Sequence, residues 1–444
     1  MFRARIFAAA RGSAELSVGV AQILMMPLRM NHHVLEHFPV IIVGAGQAGL
    51  AISYCLQQRE IRHILFERER IGHAWRAQRW DSFCLVTPNW QCRLPGHAYT
   101  GADPNGFMLK DEIVKYVEAY AASFSPPVRE GVSVQRVARG DAGFLVETSL
   151  GNFSAEHVVM ASGPYHTPKI PPLAAALDPD ILQLDATRYR NPGVLPDGPV
   201  MVVGTGQSGC QIAEDLHLAG REVHLCVGSA PRVARRYRGK DVVEWLEHIG
   251  HYDVPIDEHP YGALVRKKRN HYVTGRDGGR GIDLRAFALQ GMQLYGRLQQ
   301  IGRDGFEFGD DLEQNLDRAD ASSERIKQVI DAYITRENIV APSEPAYKPA
   351  WRPERPVLRR KLHLGTVIWC GGFALDYSCV DLPVFDASGY PNHVRGVATD
   401  VSGLYFLGLP WLYTWGSGRF SGVGRDAENL ARVIAERVRS GAAA

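Results

Sequence analysis

Apolar residues in this sequence come in short runs that glycine stops, and two of those runs share one design. Val40 to Val43 lead straight into Gly44-Ala-Gly-Gln-Ala-Gly49, after which Leu50 to Arg59 has helix-forming composition. Ile64-Leu65-Phe66 then reads as a second strand that ends in Glu67. Further on, an apolar strand reaching Val203 meets Gly204-Thr-Gly-Gln-Ser-Gly209, a helix over 210–218 follows, and Glu222 to Val227 forms the next strand. Helical spacing recurs over 111–122, with Ile113, Val114, Val117 and Tyr120 on one face. It recurs over 322–334, with Ile326, Val329 and Ile330, and over 424–438, with Ala427, Leu430, Ala431, Ile434 and Ala435. Strands over 132–137, 143–148 and 153–160, with glycine-containing turns between them, predict a β-meander. Strands return at 366–373 and 403–409. The pattern predicts an α/β fold with two Rossmann-like dinucleotide-binding domains and a small meander.

A strand, a glycine turn and a helix make a phosphate seat for steric and electrostatic reasons. Gly44 permits the tight turn, Gly46 lets the backbone approach a pyrophosphate, and Gly49 lets helix and strand pack closely. Gln47 and Ala48 lie at the helix N-terminus, whose unpaired N–H groups face the phosphate. Glu67 stands where an acid hydrogen-bonds a ribose hydroxyl. Gly204, Gly206, Gln207, Ser208 and Gly209 repeat the arrangement, but no acid ends the strand that follows. Ser229, Arg232, Arg235 and Arg236 come instead. Arginines in place of a carboxylate suit a ribose 2′-phosphate, so NADPH is expected over NADH, with a solvated charged face as the competing reading for one or two of them.

Bulk properties narrow the picture further. The 444 residues suggest two or three domains, and 45% hydrophobic with 22% charged residues is ordinary for a soluble globular enzyme. A net charge of +2 gives no reason to expect nucleic acid or a membrane as partner. Seven scattered cysteines without a CxxC indicate neither a disulfide framework nor a metal site, in keeping with a cytoplasmic location. The apolar patch from Val18 to Leu28, preceded by Arg3, Arg5 and Arg11, is too short and interrupted to span a bilayer. Residues 1–37 are therefore expected to be a loosely ordered extension, with Met30 as an alternative start. Gly275-Arg-Asp-Gly-Gly-Arg-Gly281 lacks a preceding strand and is not read as a third nucleotide site. Arg352 to Lys361 reads as a basic linker.

With these motifs the chain resembles the FAD- and NADPH-dependent class B flavoprotein monooxygenases: the flavin-containing monooxygenases, the YUCCA-type enzymes and related bacterial flavoproteins. The carriers are the two glycine motifs, Gly72-His-Ala-Trp-Arg76, the stretch from Trp80-Asp81 to Leu94-Pro95 and Ala161-Ser-Gly-Pro164. Ile368-Trp-Cys-Gly-Gly-Phe373 and Gly403-Leu-Tyr-Phe-Leu-Gly408 complete the set. The resemblance implies an FAD domain split between 38–170 and 365–444, with an NADPH domain at 171–364 inserted. It implies that Glu67 binds the FAD ribose, with Arg68 beside it as a further cofactor-binding residue, that Trp75 and Arg76 flank the FAD, and that Asp426 lies near the flavin. It further implies a C4a-hydroperoxide that oxygenates a small nitrogen, sulfur or carbonyl substrate with O2, with homodimerisation left open. The chain departs from the family twice. Asp185 stands where the signature between the domains has histidine, with only Tyr189 fitting, and Thr87 with the offset Asn89 stands where relatives place a flavin-supporting asparagine. An FAD-containing NAD(P)H oxidase or reductase is the alternative, and a non-enzymatic redox sensor a third reading. Trp411, Tyr413, Trp415 and Phe420 are expected to wall the substrate pocket or simply to pack against the core.

Overall fold

A computed structural model describes residues 35–141 and 143–442, so the expectations for the N-terminal extension and for Met30 lie outside the described residues. The first glycine motif joins strand β1 (Glu36–Val43) to helix α1 (Gln47–Gln57), and β2 (His63–Glu67) follows. A short helix α2 (His73–Ala77) and the longer α3 (Lys110–Phe124) come next. The sheet continues with β3 (Val128–Glu130) and the expected meander of β4 (Val134–Gly140), β5 (Gly143–Thr148) and β6 (Gly151–Met160). β1 lies between β2 and β6, parallel to both. That central position buries Val40, Ile41 and Ile42 completely and explains a continuous apolar run where an edge strand would alternate.

A second, wholly parallel sheet is built from β7 (Leu182–Asp185), β8 (Val200–Val203), β9 (Val223–Cys226) and β10 (Gln293–Tyr295), with helix α4 (Gln207–Leu218) after β8. Its remaining strand, β11 (Thr366–Trp369), corrects the expected boundary at 365. This strand pairs with β7 and β8, so the chain is still in the second sheet there. The first sheet resumes with β12 (Leu404–Phe406), parallel to β6. Contacts join both sheets into one compact unit that begins at Glu36.

Two helices are longer than their periodicity predicts. Helix α5 (Leu312–Arg336) starts at Leu312, not Ser322, because a sparse buried stripe of Leu312, Leu316, Ala319 and Ser323 suffices on a charge-rich helix. Helix α6 (Val423–Ala442) buries Ala427, Leu430, Ala431 and Ile434 in the core beneath α1. No described helix is long and apolar enough to cross a membrane.

Candidate functional site

The two glycine turns are near copies at atomic scale. Gly44 has φ +101° and Gly204 φ +107°, a region that L side chains rarely adopt. A Cβ on Gly49 would lie 1.9 Å from the Gly44 carbonyl oxygen, and one on Gly209 2.0 Å from that of Gly204. Each turn is also roofed by the end of the next parallel strand. A Cβ on Gly44 would meet the Ala161 carbonyl at 2.8 Å, and one on Gly204 the Cys370 carbonyl at 2.7 Å. At Gly46 and Gly206 the space a Cβ would fill is open. The turns therefore fit a dinucleotide pyrophosphate laid over a helix N-terminus.

The rims of the two cradles differ. Val43 is registered with Phe66, and Val203 with Cys226, so Val227 is the counterpart of Glu67. In the first cradle the Ala45 amide donates to Glu67 Oε2 at 2.7 Å and the Glu69 amide to Oε1 at 3.0 Å, which fixes the carboxylate beside the turn. In the second the tie runs the other way: the Gly228 amide donates to Thr205 Oγ1 at 3.0 Å, while Val227 is buried and apolar. Thr205 escaped sequence reasoning because a lone threonine inside a glycine motif carries no signal by itself.

Around the first cradle, Trp75 donates from Nε1 to Gln47 Oε1 at 3.0 Å, and Gln47 Nε2 donates to the Gly418 carbonyl at 3.4 Å. Trp75 also stacks on Phe420 with centroids 5.5 Å apart. Ala48 is buried against Gly408, where a Cβ would come within 2.7 Å of its methyl. Arg68 is exposed, and Arg76 reaches outward to Glu118, with Nη2 at 2.5 Å from Oε1. Asp426, at the start of α6, is 2% exposed, and its Oδ2 has no hydrogen-bond partner. Burial pushes its carboxyl up to about 6, while Ser417, Arg395 and Arg425 pull it back. A buried carboxylate oxygen left without a donor at this cradle is the feature a ligand hydroxyl would satisfy.

Around the second cradle, Gln207 Nε2 donates to the Val273 carbonyl at 2.5 Å, Ser208 is half-buried, and Ser229 is exposed. The arginines expected there are mostly committed elsewhere, which corrects that reading. Arg232 is buried, donates from Nε to Asp320 Oδ1 at 2.5 Å and lies 4.1 Å over the Tyr347 ring. Arg235 is buried too, donating from Nη1 to the Val86 carbonyl at 2.8 Å and lying 4.8 Å over Phe107. Arg236 is exposed and turned toward the Gly278 carbonyl, 3.4 Å away. Neighbouring sequence puts three arginines together, but their packing sends two of them inward.

Asn89 needs correction as well. Its Nδ2 donates to the Asp103 carbonyl at 3.0 Å and its Oδ1 accepts from the Met108 amide at 2.7 Å, so its amide braces the 103–108 loop. Thr87 is half-buried, and its hydroxyl has no protein partner among the described residues. Asp185 accepts from the Thr187 amide at 2.8 Å and from its hydroxyl at 2.5 Å, a local turn that explains an acid at this crossover. Of the aromatics near the C-terminus, Trp411 packs with Ile256 and Val265, and Trp415 lies 4.4 Å from Tyr252.

Comparison with known proteins sets this geometry in a family context. The family model described as pyridine nucleotide-disulphide oxidoreductase matches residues 41–251. The chain is 36% identical to a CzcO-like oxidoreductase of Geobacillus kaustophilus, over 89% of this chain and 97% of that protein. It is 32% identical to the probable indole-3-pyruvate monooxygenase YUCCA1 of Arabidopsis thaliana, over 46% of this chain and 50% of the relative. Among solved structures, a flavin-containing monooxygenase from Stenotrophomonas maltophilia matches with a TM-score of 0.63 at 19% identity, over 91% of this chain and 100% of that one. The bacillithiol disulfide reductase Bdr from Bacillus cereus matches with a TM-score of 0.57 at 14% identity, over 90% and 100%. The fold is that of the two-domain flavin monooxygenases.

Proposed function

Because the chain belongs to the family of CzcO-like oxidoreductases and is an enzyme that uses FAD and NADPH, we propose that it is a monooxygenase. In this reading it inserts one oxygen atom of O2 into a small nitrogen or sulfur nucleophile or a carbonyl compound. FAD occupies the cradle of Gly44, Gly46 and Gly49, with Glu67 on its ribose, and NADPH that of Gly204, Gly206 and Gly209. Held there, FAD would supply the redox chemistry, hydride acceptance and activation of O2.

The chain's own residues bind, orient and exclude water. The Trp75–Gln47–Gly418 hydrogen bonds and the Trp75–Phe420 stack close the wall of the first cradle with apolar surface. Asp426 offers one buried carboxylate oxygen at the same place. The observation that carries oxygenation over thiol chemistry is the state of the cysteines. Cys84 and Cys92 are buried with their thiols pushed up to about 11 and about 12, and Cys55 and Cys370 to about 12. Cys210, Cys226 and Cys379 are shifted the same way, so a fold shared with a disulfide reductase here holds no activated thiolate.

An NAD(P)H oxidase or reductase without oxygen insertion is the second reading, favoured by Asp185 in place of the signature histidine. Turnover under ¹⁸O2 separates the two, using a panel of amines, sulfides, ketones and aryl 2-oxo acids, the last suggested by the YUCCA name. Label in a product, with NADPH consumed in step, is the expected result. NADPH consumption matched by hydrogen peroxide for every compound, with no label in any, would sink the monooxygenase reading.

A further inference from the structure

Since the second cradle has no acid on its rim and Arg232 and Arg235 are buried, the charge of a ribose 2′-phosphate needs another partner. We propose that Arg269, from the 262–270 segment, is the residue that selects NADPH over NADH. A Cβ built on Gly228 would lie 3.7 Å from Arg269 Nη1 and 3.7 Å from Thr205 Oγ1. The guanidinium thus stands at the end of β9, across from the glycine turn. In the first cradle the residue before the counterpart of Gly228 is Glu67, the ribose-directed acid, so this is where an adenosine ribose hydroxyl faces outward. A Cβ at Gly228 would only reach ordinary contact with the guanidinium, so the arginine head lies directly beside the end of β9.

Arg269 is exposed and has no carboxylate partner among the described residues, unlike Arg232. Lys268, beside it, is engaged over the Tyr261 ring. The segment itself is anchored: Arg266 Nε donates to the Trp411 carbonyl at 3.2 Å, and Asn270 Oδ1 accepts from Arg419 Nη2 at 2.9 Å. Arg269 is therefore presented from a braced loop, so little ordering opposes phosphate binding. Sequence inspection directs attention to the arginines just after β9, while the cation that reaches the rim lies 41 residues beyond Gly228, from 228 to 269.

The proposal rests on NADPH as hydride donor and not on oxygenation, so the test reads binding alone. FAD-loaded wild type, Arg269→Ala, Arg269→Lys and Arg236→Ala are titrated calorimetrically with adenosine 2′,5′-bisphosphate and with adenosine 5′-monophosphate. For Arg269→Ala, affinity for the bisphosphate is expected to fall about 10- to 100-fold, the range of a charge-assisted hydrogen bond, with the monophosphate unchanged. Arg269→Lys is expected to recover part of the loss, since a point charge replaces a fork of donors. An unchanged preference in Arg269→Ala, an equal loss for both ligands, or a loss that follows Arg236→Ala instead would overturn the assignment. Because Arg269 is exposed, unfolding of the alanine variant would itself contradict its role as an uncommitted cation, and Arg269→Lys would then still report the phosphate preference.

Discussion

Single residues at the cradles are defined by what their atoms lack. Asp426 has one carboxylate oxygen without a donor, and burial lifts its carboxyl from the ordinary 3.8 to about 6. A folded pKa above the unfolded one means that the native chain holds the proton more tightly between the two values. Stability of the flavin-free chain should therefore fall as pH rises from about 4 through about 6, and stay lower above that, by about 3 kcal/mol. In Asp426→Asn this part of the curve should flatten, as read from urea midpoints across the same range. A variant curve as steep as that of wild type would remove Asp426 as its cause. Glu67 was legible from its place after an apolar strand, because a strand end points its next side chain at the turn. Asn89 was not, because whether an amide faces a ligand or braces its own loop depends on where the 103–108 backbone passes.

At the scale of an element, each strand–turn–helix unit depends on one close approach. An alanine at Gly49 or Gly209 would put a methyl 1.9 or 2.0 Å from a carbonyl oxygen, far inside van der Waals contact, and the helix must then shift away from the turn. Gly49→Ala should purify with little flavin, its absorbance ratio at the visible and ultraviolet bands down by about tenfold. Gly209→Ala should keep its flavin yet bind NADP⁺ at least about tenfold more weakly. Equal flavin content in both variants would contradict the assignment of FAD to the first unit. Helix boundaries were less legible than helix existence. Leu312 to Ala321 is so rich in charge that its buried stripe shows only once β9 and the Arg232 region lie against it.

Across the whole molecule, one carboxylate ties the loops of both sheets. Asp215 on α4 accepts from Ser82 Oγ at 2.6 Å, from Tyr189 Oη at 2.7 Å and from Arg276 Nη1 at 2.8 Å. These partners come from the first sheet's aromatic loop, the crossover and the glycine-rich 275–281 loop. That loop is pressed close: a Cβ on Gly275 would fall 2.0 Å from the Leu85 carbonyl. Removing the acid in Asp215→Ala strands the buried Tyr189 phenol and leaves Arg276, a third exposed, to solvent, and should cost about 2–3 kcal/mol in urea unfolding. Tyr189→Phe, which loses one hydrogen bond, should cost about 1–3 kcal/mol. A loss below about 1 kcal/mol for Asp215→Ala would show that the loops close without it. The 275–281 loop thus acts as a structural clasp, which accounts for glycines that have no strand before them.

The sequence by itself determined both dinucleotide cradles and the fold class around them. The reason is that strand, turn and helix lie within a few dozen residues, and the steric demand falls on glycines that can be read in order. Only the tertiary structure decided which charges serve those cradles. Arg232 is neutralised by Asp320, 88 residues along the chain, Arg235 turns inward to Val86, and β11 joins the second sheet instead of the first. A side chain's partner is set by which distant segment packs beside it, and no local pattern of residues carries that.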